Sequence, residues 1–388
     1  MPIESRPQTT AALAVLVAGS NFWYLSGRMR PKDPFIGREI LGGEYAILEK
    51  IGTGGMGSVY KASQPAMKRM VAIKILHPKL ANRKDLTSRF RREARAMSQL
   101  THPNTVKVFV YGELEEDGSL YIVMEMLEGK NLNQAVRKDG PIPVERAIPI
   151  LIQVCGALQE AHELGIVHRD LKPENIFLCK QGGMVDYPKV LDFGLAKVTE
   201  RQMQPGSIIL TQEGMVFGTP EFMSPEQAQG KTLDARSDIY SLAVILYEVL
   251  TGKLPFSAKS PMEYIQKHVT ESIIPLSERV PERRFPKELD AVLARALSKK
   301  PEQRYQTAAE FAEALRPFGG AAAQALPSSL RPEGAPPRPQ LPALEERSNQ
   351  PALAVEKSSG PGLLIGVAAL CLVAGVLLAV VVMRLLGR

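Results

Sequence analysis

Short apolar runs between residues 45 and 127 predict a series of β-strands. The runs are YAILEKIG, SVYKAS and MVAIKIL, then VKVFVYG and LYIVMEML after a charged helical stretch at 86–100. β-Branched and aromatic residues concentrate in them, as is typical of strands. Later apolar positions recur at helical spacing, as in 148–165 and 237–252. The pattern predicts an α+β fold with a β-rich first half carrying one helix and a mainly helical second half.

A continuous apolar run near the C-terminus predicts a transmembrane helix. Residues 363–383 form 21 positions without a charge. At 1.5 Å per residue a helix of that length spans roughly 31 Å, close to the hydrocarbon core of a bilayer. The run has no polar face, unlike the helix of a soluble core. We expect only a short tail, 384–388, beyond it, and no receptor domain.

The segment 1–44 carries a second uncharged stretch, 11–27, whose interpretation stays open. It ends in Trp23 and Tyr24, which resemble an interfacial aromatic belt, but Ser20 and Asn21 interrupt it. The stretch either associates with or spans a membrane, or it is an amphipathic or docked segment, or the true start lies elsewhere.

The composition between the predicted domain and the transmembrane helix predicts a linker. Residues 317–362 are rich in Pro and Ala and show neither strand nor helix periodicity, so we expect them to be disordered. The block 45–316 remains as one domain of two halves.

Charge and cysteine content exclude some classes of function. The net charge of +7 is spread along the chain without a nucleic-acid-binding signature, so we expect no nucleic-acid partner. Cys155, Cys179 and Cys371 lack metal-ligand spacing, so neither a zinc site nor a disulfide framework is expected. A reducing compartment fits this pattern.

The stretch IGTGGMGSVY indicates a phosphate-binding hairpin. Gly52, Gly54 and Gly57 have the G-x-G-x-x-G spacing, in which glycines let backbone N–H groups approach phosphates. In dinucleotide folds a helix follows such glycines, whereas a β-like run follows here, which favours a flap over ATP. Lys74 ends VAIK, 17 residues after Gly57, and can reach the α- and β-phosphates. By itself it would be a solvated lysine at a strand end.

A carboxylate on the charged helix is the candidate partner of Lys74. Glu93 shares its helix face with Phe90, Ala94 and Met97, so the face that holds it is expected to turn inward. The alternative is a solvated charged face.

The stretch HRDLKPEN, followed 17 residues later by LDFG, supplies the groups that phosphoryl transfer requires. Asp170 can accept the proton of an attacking hydroxyl, and Lys172 can neutralise charge on the γ-phosphate. Asn175 and Asp192 offer oxygen ligands suited to Mg²⁺.

Taken in order, GTGGMGSV, VAIK, HRDLKPEN, DFG and SPE resemble the protein-kinase family, and most closely the eukaryotic-like Ser/Thr kinases of bacteria. The resemblance covers about 45–316 and implies a bilobal fold with ATP and Mg²⁺ as cofactors. It implies that Lys74 pairs with Glu93, that Asp170 is the catalytic base and that Asn175 and Asp192 bind the metal.

The same resemblance assigns the remaining site residues. Met124 would be the gatekeeper, Glu125 to Leu127 the hinge, and Ala72 and Phe177 the two sides of the adenine pocket. Thr219 would contact the catalytic base, Asp238 would brace the HRD loop, and Glu226 would pair with Arg304, although ordinary surface charges are the alternative for Asp238 and Arg304. The ATP-binding set would also contain Ile51, Gly52, Thr53, Gly54, Gly55, Met56, Gly57, Ser58 and Val59, and the structural set His168, Phe193 and Gly194.

The resemblance also implies regulation and partners. Arg169 marks kinases that are switched by phosphorylation of the activation loop, where Thr211 is preferred over Thr199 and Ser207. We expect Ser/Thr-containing protein substrates, an inner- or plasma-membrane location with the catalytic domain in the cytoplasm, and a second copy of the chain for trans-autophosphorylation. Two rival functions remain: a membrane-tethered pseudokinase scaffold and a small-molecule phosphotransferase of related fold.

Overall fold

The computed structural model describes residues 33–54, 57–77, 84–193 and 219–327. The predicted membrane segments 11–27 and 363–383, the tail 384–388 and most of the predicted linker lie outside these ranges. Within them, no helix combines the length and the apolar character needed to cross a bilayer.

The first half of the domain is an antiparallel sheet, as the apolar runs predicted. In the described ranges its six strands lie in the order β1-β2-β3-β4-β6-β5. Among the described residues, one α-helix, α1 (Lys84–Met97), packs with this lobe. The strands are β1 (Glu39–Ile40), β2 (Tyr45–Gly54), β3 (Gly57–Gln64), β4 (Arg69–Leu76), β5 (Val108–Glu113) and β6 (Leu120–Glu125).

Alternating side chains on β4 give this sheet one face in the core of the lobe and one face toward the second lobe. Val71, Ile73 and Ile75 of β4 are buried in the core of the N-terminal lobe. Ala72 and Lys74 alternate with them and therefore point to the opposite face of the sheet. That face is directed at the second lobe, since Lys74 contacts a residue there.

Residues ahead of the predicted domain start at 45 pack against the N-terminal lobe. Phe35 and Ile40 are buried in its core, and β1 pairs with β2. The backbone of Gly37 donates to Ile47 O, and that of Ile47 donates to Arg38 O. These contacts join residues 33–44 to the sheet that follows them.

The second half is mainly helical and is built around two helices, α3 (Val144–Glu163) and α5 (Ala235–Thr251). Both helices are largely buried. Gly252 caps the C-terminus of α5, and its φ of 70° is the left-handed conformation that favours glycine. A small sheet of β7, β8 and β9 lies beside the catalytic residues. The elements are β7 (Gly129–Asn131), α2 (Leu132–Asp139), α3 (Val144–Glu163), β8 (Ile176–Gln181), β9 (Met184–Val190), α4 (Pro225–Ala228), α5 (Ala235–Thr251), α6 (Pro261–Thr270), α7 (Leu276–Arg279), α8 (Lys287–Ala296), α9 (Ala308–Leu315) and α10 (Gly320–Gln324).

Residues beyond the predicted domain end at 316 continue to pack onto the second lobe. Ala323 of α10 is fully buried, and a side chain at Gly319 would collide with Ala323 and with Ile148 of α3. Arg316 Nη1 donates to the carbonyls of Ala323 and Leu326 at 2.6 and 3.0 Å. The small residues that made this stretch resemble a linker permit its close packing.

Candidate active site

The glycine-rich stretch forms the hairpin that its sequence predicted. Gly52 pairs with Val59, Thr53 with Ser58 and Gly54 with Gly57. Ile51 is half-exposed, whereas Ser58 is buried. Gly55 and Met56, between the two strands, lie outside the described residues.

Two glycines of the hairpin, Gly54 and Gly57, differ in what surrounds them. A Cβ at Gly54 would meet nothing within 4 Å, so its side is open to a ligand. A Cβ at Gly57 would lie 2.2 Å from the carbonyl oxygen of Ile75. Gly57 is therefore required by the close approach of β4, a contact that spacing alone does not indicate.

Lys74 is fixed by the sheet and reaches across the cleft between the lobes. It pairs with Val59 of β3 and Ile122 of β6, and its Nζ lies 2.7 Å from Asp192 Oδ2. Burial alone would raise the pKa of Asp192, but the charge and hydrogen bond of Lys74 outweigh it and hold that pKa below its usual range. Asp192 is therefore a carboxylate at neutral pH.

The inward orientation predicted for Glu93 is confirmed. Its side chain is buried at 7% exposure on α1, together with Phe90, Ala94 and Met97. The alternative of a solvated face is therefore wrong. The pairing of Glu93 with Lys74 stays a prediction.

The catalytic loop brings the predicted chemical groups together. Lys172 Nζ lies 2.7 Å from Asp170 Oδ2, and Asn175 Nδ2 donates to the Asp170 carbonyl at 2.7 Å. The N–H of Leu191 donates to the Asn175 carbonyl at 2.9 Å. That bond places Asn175 beside the segment that carries Asp192.

Buried Asp238 holds this loop in place, as predicted. Its side chain is 2% exposed and accepts hydrogen bonds from the N–H groups of His168 and Arg169 at 2.8 and 3.0 Å. His162 Nε2 lies 2.8 Å from its Oδ2, a partner that the sequence analysis missed. Burial tends to raise the pKa of Asp238, but His162 and the N–H donors lower it below its usual value. The alternative that Asp238 is an ordinary surface charge is thereby excluded.

Local backbone strain and ring packing complete the connection between the loop and Asp192. Arg169 and Asp192 have φ angles of 68° and 56°, in a region that non-glycine residues seldom occupy. The rings of His168 and Phe193 lie 4.9 Å apart, and His168 Nε2 is 2.8 Å from the Leu191 carbonyl. The two motifs therefore share one packed unit.

The pair predicted between Glu226 and Arg304 is present and buried. Two Arg304 nitrogens each lie 2.7 Å from a Glu226 oxygen, and Ser237 Oγ donates to Glu226 at 2.6 Å. Thr219 lines one small cavity with Asp170, consistent with the predicted contact to the base. Gln227, which the sequence analysis missed, donates to the Arg169 carbonyl at 2.9 Å.

Three residues predicted to line the adenine pocket lie on strands of the two sheets, and the pocket itself stays a prediction. Ala72 pairs with Met124 across β4 and β6, and Phe177 lies on β8. Glu125 is additionally bound by Lys189, whose Nζ lies 2.8 Å from Glu125 Oε1. This buried lysine joins the hinge to β9, and no motif indicated it.

The donor set near Asp192 fits a hard cation such as Mg²⁺. Asn175 uses its amide N–H on Asp170, which leaves the amide oxygen as an acceptor. In the described ranges, no three His, Cys, Asp or Glu side chains form a metal cluster. A site of two protein ligands suits Mg²⁺, which usually completes its coordination with water and substrate phosphates.

Two regulatory assignments, Gly194 and Thr211, lie outside the described residues. Leu127 of the predicted hinge is partly buried just after β6.

Comparison with known proteins matches the same part of the chain that forms the two lobes. The protein kinase domain family matches residues 45–315. The chain belongs to the protein kinase family. Serine/threonine-protein kinase pkn3 of Myxococcus xanthus is 42% identical over 284 residues, which are 73% of this chain and 51% of that protein. Serine/threonine-protein kinase PknB of Mycolicibacterium smegmatis is 44% identical over 288 residues, 74% of this chain and 44% of that protein.

Solved kinase structures confirm the bilobal fold. The crystal structure of the Mycobacterium tuberculosis PknI kinase domain matches with a TM-score of 0.56 at 28% identity, covering 73% of this chain and 98% of that one. The resemblance to bacterial serine/threonine kinases that the motifs indicated is thus confirmed. The chain spans about half the length of the curated relatives it matches.

Proposed function

We propose that this chain is an ATP- and Mg²⁺-dependent serine/threonine protein kinase. The arrangement of Asp170, Lys172 and Asn175 on a loop braced by Asp238, facing the Lys74–Asp192 pair, is the observation that carries the proposal. Curated relatives named serine/threonine-protein kinases support this choice of acceptor.

The side chains of the loop divide the work of transfer between them. Asp170 orients the substrate hydroxyl and accepts its proton. Lys172, whose ammonium lies 2.7 Å from that carboxylate, can follow the negative charge of the moving phosphoryl group. Lys74, on β4 and 2.7 Å from Asp192, would bind the phosphates. Mg²⁺, held by Asn175 and Asp192, would neutralise charge on the phosphate oxygens.

Anchoring and regulation complete the proposal. The apolar run 363–383 would anchor the chain in the inner or plasma membrane with the catalytic domain in the cytoplasm. Two copies would phosphorylate each other in the activation loop, with Thr211 as the preferred site and Arg169 as the group that receives the phosphate. Active chain is mixed with inactive, tagged chain, and the phosphate is located by mass spectrometry. This experiment tests whether transfer occurs between copies and whether Thr211 receives the phosphate.

The decisive experiment compares Asp170→Asn with a matched carboxylate change. Full-length chain is given [γ-³²P]ATP with Mg²⁺ and a Ser/Thr-rich protein, followed by phosphoamino-acid analysis. We expect transfer to Ser or Thr by the parent and by Asp117→Asn, which alters an exposed turn, and at least about a 10³-fold loss in Asp170→Asn.

Two results would contradict the proposal. Absence of transfer in all three proteins, with nucleotide still bound, would favour a pseudokinase scaffold. Transfer to small molecules but not to protein would favour a small-molecule phosphotransferase.

A further inference from the structure

Asp33, ahead of the first strand, forms a side-chain clasp on the base of the glycine-rich hairpin. Its Oδ2 lies 2.8 Å from Lys50 Nζ, and the Tyr60 hydroxyl donates to its Oδ1 at 3.1 Å. The N–H of Phe35 donates to the same Oδ1 at 3.1 Å. Lys50 and Tyr60 are partners across β2 and β3, so one carboxylate holds both strands.

The clasp lies next to an irregularity in the ladder between β2 and β3. The register of β2 and β3 shifts between Lys50 and Gly52, directly before the pairs that form the glycine-rich hairpin. An irregular ladder fixes the direction of the following residues less firmly than a regular one. A side-chain link across Lys50 and Tyr60 can therefore determine where the hairpin points.

Asp33 is itself anchored to the lobe. Its side chain is 16% exposed. Phe35, two residues on, is buried, and its ring lies 5.6 Å from that of Tyr60. Two backbone hydrogen bonds between residues 37–38 and Ile47 fix the segment that follows.

The charge on Asp33 is maintained at neutral pH. Burial works to raise its pKa, but the bonds from Lys50, Phe35 and Tyr60 lower it below its usual value. Lys50 Nζ also lies 5.7 Å from the centre of the Tyr60 ring, so the ammonium group contacts both Asp33 and Tyr60.

We propose that Asp33 is a positioning residue for ATP: by clasping Lys50 to Tyr60 it sets the glycine-rich hairpin over the phosphates and thereby determines nucleotide affinity. It touches neither substrate nor the reacting atoms. The inference rests on the proposed function, since the hairpin is there taken to cover ATP.

The test is steady-state kinetics of the full-length chain carrying Asp33→Asn, with Glu49→Gln as control. The amide keeps the shape of the side chain but loses the charged bond to Lys50. We expect KM for ATP to rise about five- to tenfold, with kcat and the KM for protein substrate within about twofold. Glu49 lies on the same strand in an exposed pair with Lys61 at 3.4 Å, so Glu49→Gln should match the parent.

Lys50→Gln provides a second route if Asp33→Asn fails to fold. It should raise KM for ATP to a similar extent, and the double variant should show no further rise, because both changes remove one link. An unchanged KM for ATP in Asp33→Asn, an equal rise in Glu49→Gln, or a fall in kcat alone would each overturn the inference.

A binding measurement separates this inference from the proposed function. Titration with a fluorescent ATP analogue reports affinity even in a chain that transfers no phosphate. A parent that binds but does not transfer refutes the proposed function, and weaker binding by Asp33→Asn still supports the clasp. Equal binding by both proteins refutes the clasp alone.

Discussion

Replacing Arg304 by methionine is expected to destabilise the catalytic domain by about 3–5 kcal/mol, because it leaves the Glu226 carboxylate buried without its counter-ion. The Arg304 side chain is fully buried, and that of Glu226 is 8% exposed. Arg304 also donates to the carbonyls of Ser298, Lys299 and Arg236. Methionine fills a similar volume but satisfies none of these acceptors, so the cost should lie in the upper part of that range.

A surface pair of similar geometry provides the control. Arg146 Nε and Nη2 lie 2.7 and 3.0 Å from the two oxygens of Asp186, but the Arg146 side chain is 41% exposed. Since water can replace the arginine there, Arg146→Met should cost less than about 1 kcal/mol. The comparison varies burial while the bidentate contact is kept.

Thermal unfolding of the full-length chain measures both effects. At about 2–4 °C per kcal/mol, Arg304→Met should lower Tm by roughly 6–20 °C. A double variant with Glu226→Gln should recover part of the loss, since it removes the unpaired charge. Equal shifts for Arg304→Met and Arg146→Met would refute the reasoning, because burial would then have no influence.

The effect should also depend on pH in a defined direction. Burial tends to raise the pKa of Glu226, but Arg304 lowers it below the usual 4.5, so the pair stabilises the folded state above that pH and less as the pH falls. Without Arg304, burial should raise the pKa of Glu226 instead. The Tm difference between parent and variant is therefore expected to be largest at neutral pH and to narrow toward pH 4.5.

Two further predictions concern His268 and the hairpin. Burial lowers the pKa of His268 to about 4. The free energy of unfolding should therefore fall by about 3 kcal/mol from pH 6.5 to 4, because the unfolded chain takes up the proton first. A His268→Gln variant whose Tm falls equally steeply with pH would contradict this attribution to His268. Gly57→Ala should lower Tm while Gly54→Ala should not, because only the first places a Cβ against the Ile75 carbonyl. Equal Tm values for the two variants would show that β4 moves to make room for the added methyl group.

Local sequence was sufficient wherever function depends on residues close together in the chain. HRDLKPEN contains Asp170, Lys172 and Asn175 within eight positions, so its chemistry could be read before any fold was known. The apolar runs likewise gave the strands of the first lobe and helices α3 and α5, since periodicity is a local property. Asp238 and Arg304 could be assigned only through resemblance, and the structure shows both to be buried.

Contacts between distant residues could not be read in this way. Lys189 reaches Glu125 across 64 positions and His162 reaches Asp238 across 76, and neither histidine nor lysine carries a local mark of such a partner. The same holds for Asp33, whose side-chain partners Lys50 and Tyr60 are adjacent only because β2 pairs with β3.

The sequence by itself thus determined the family, the order of the elements and the chemical groups, because each depends on residue type and short-range spacing. Tertiary structure decided which residues outside 45–316 pack onto the domain, the contact between Lys74 and Asp192, and the reason for Gly57. These depend on which surfaces approach within a few ångströms, and that distance is set by packing of the whole lobe.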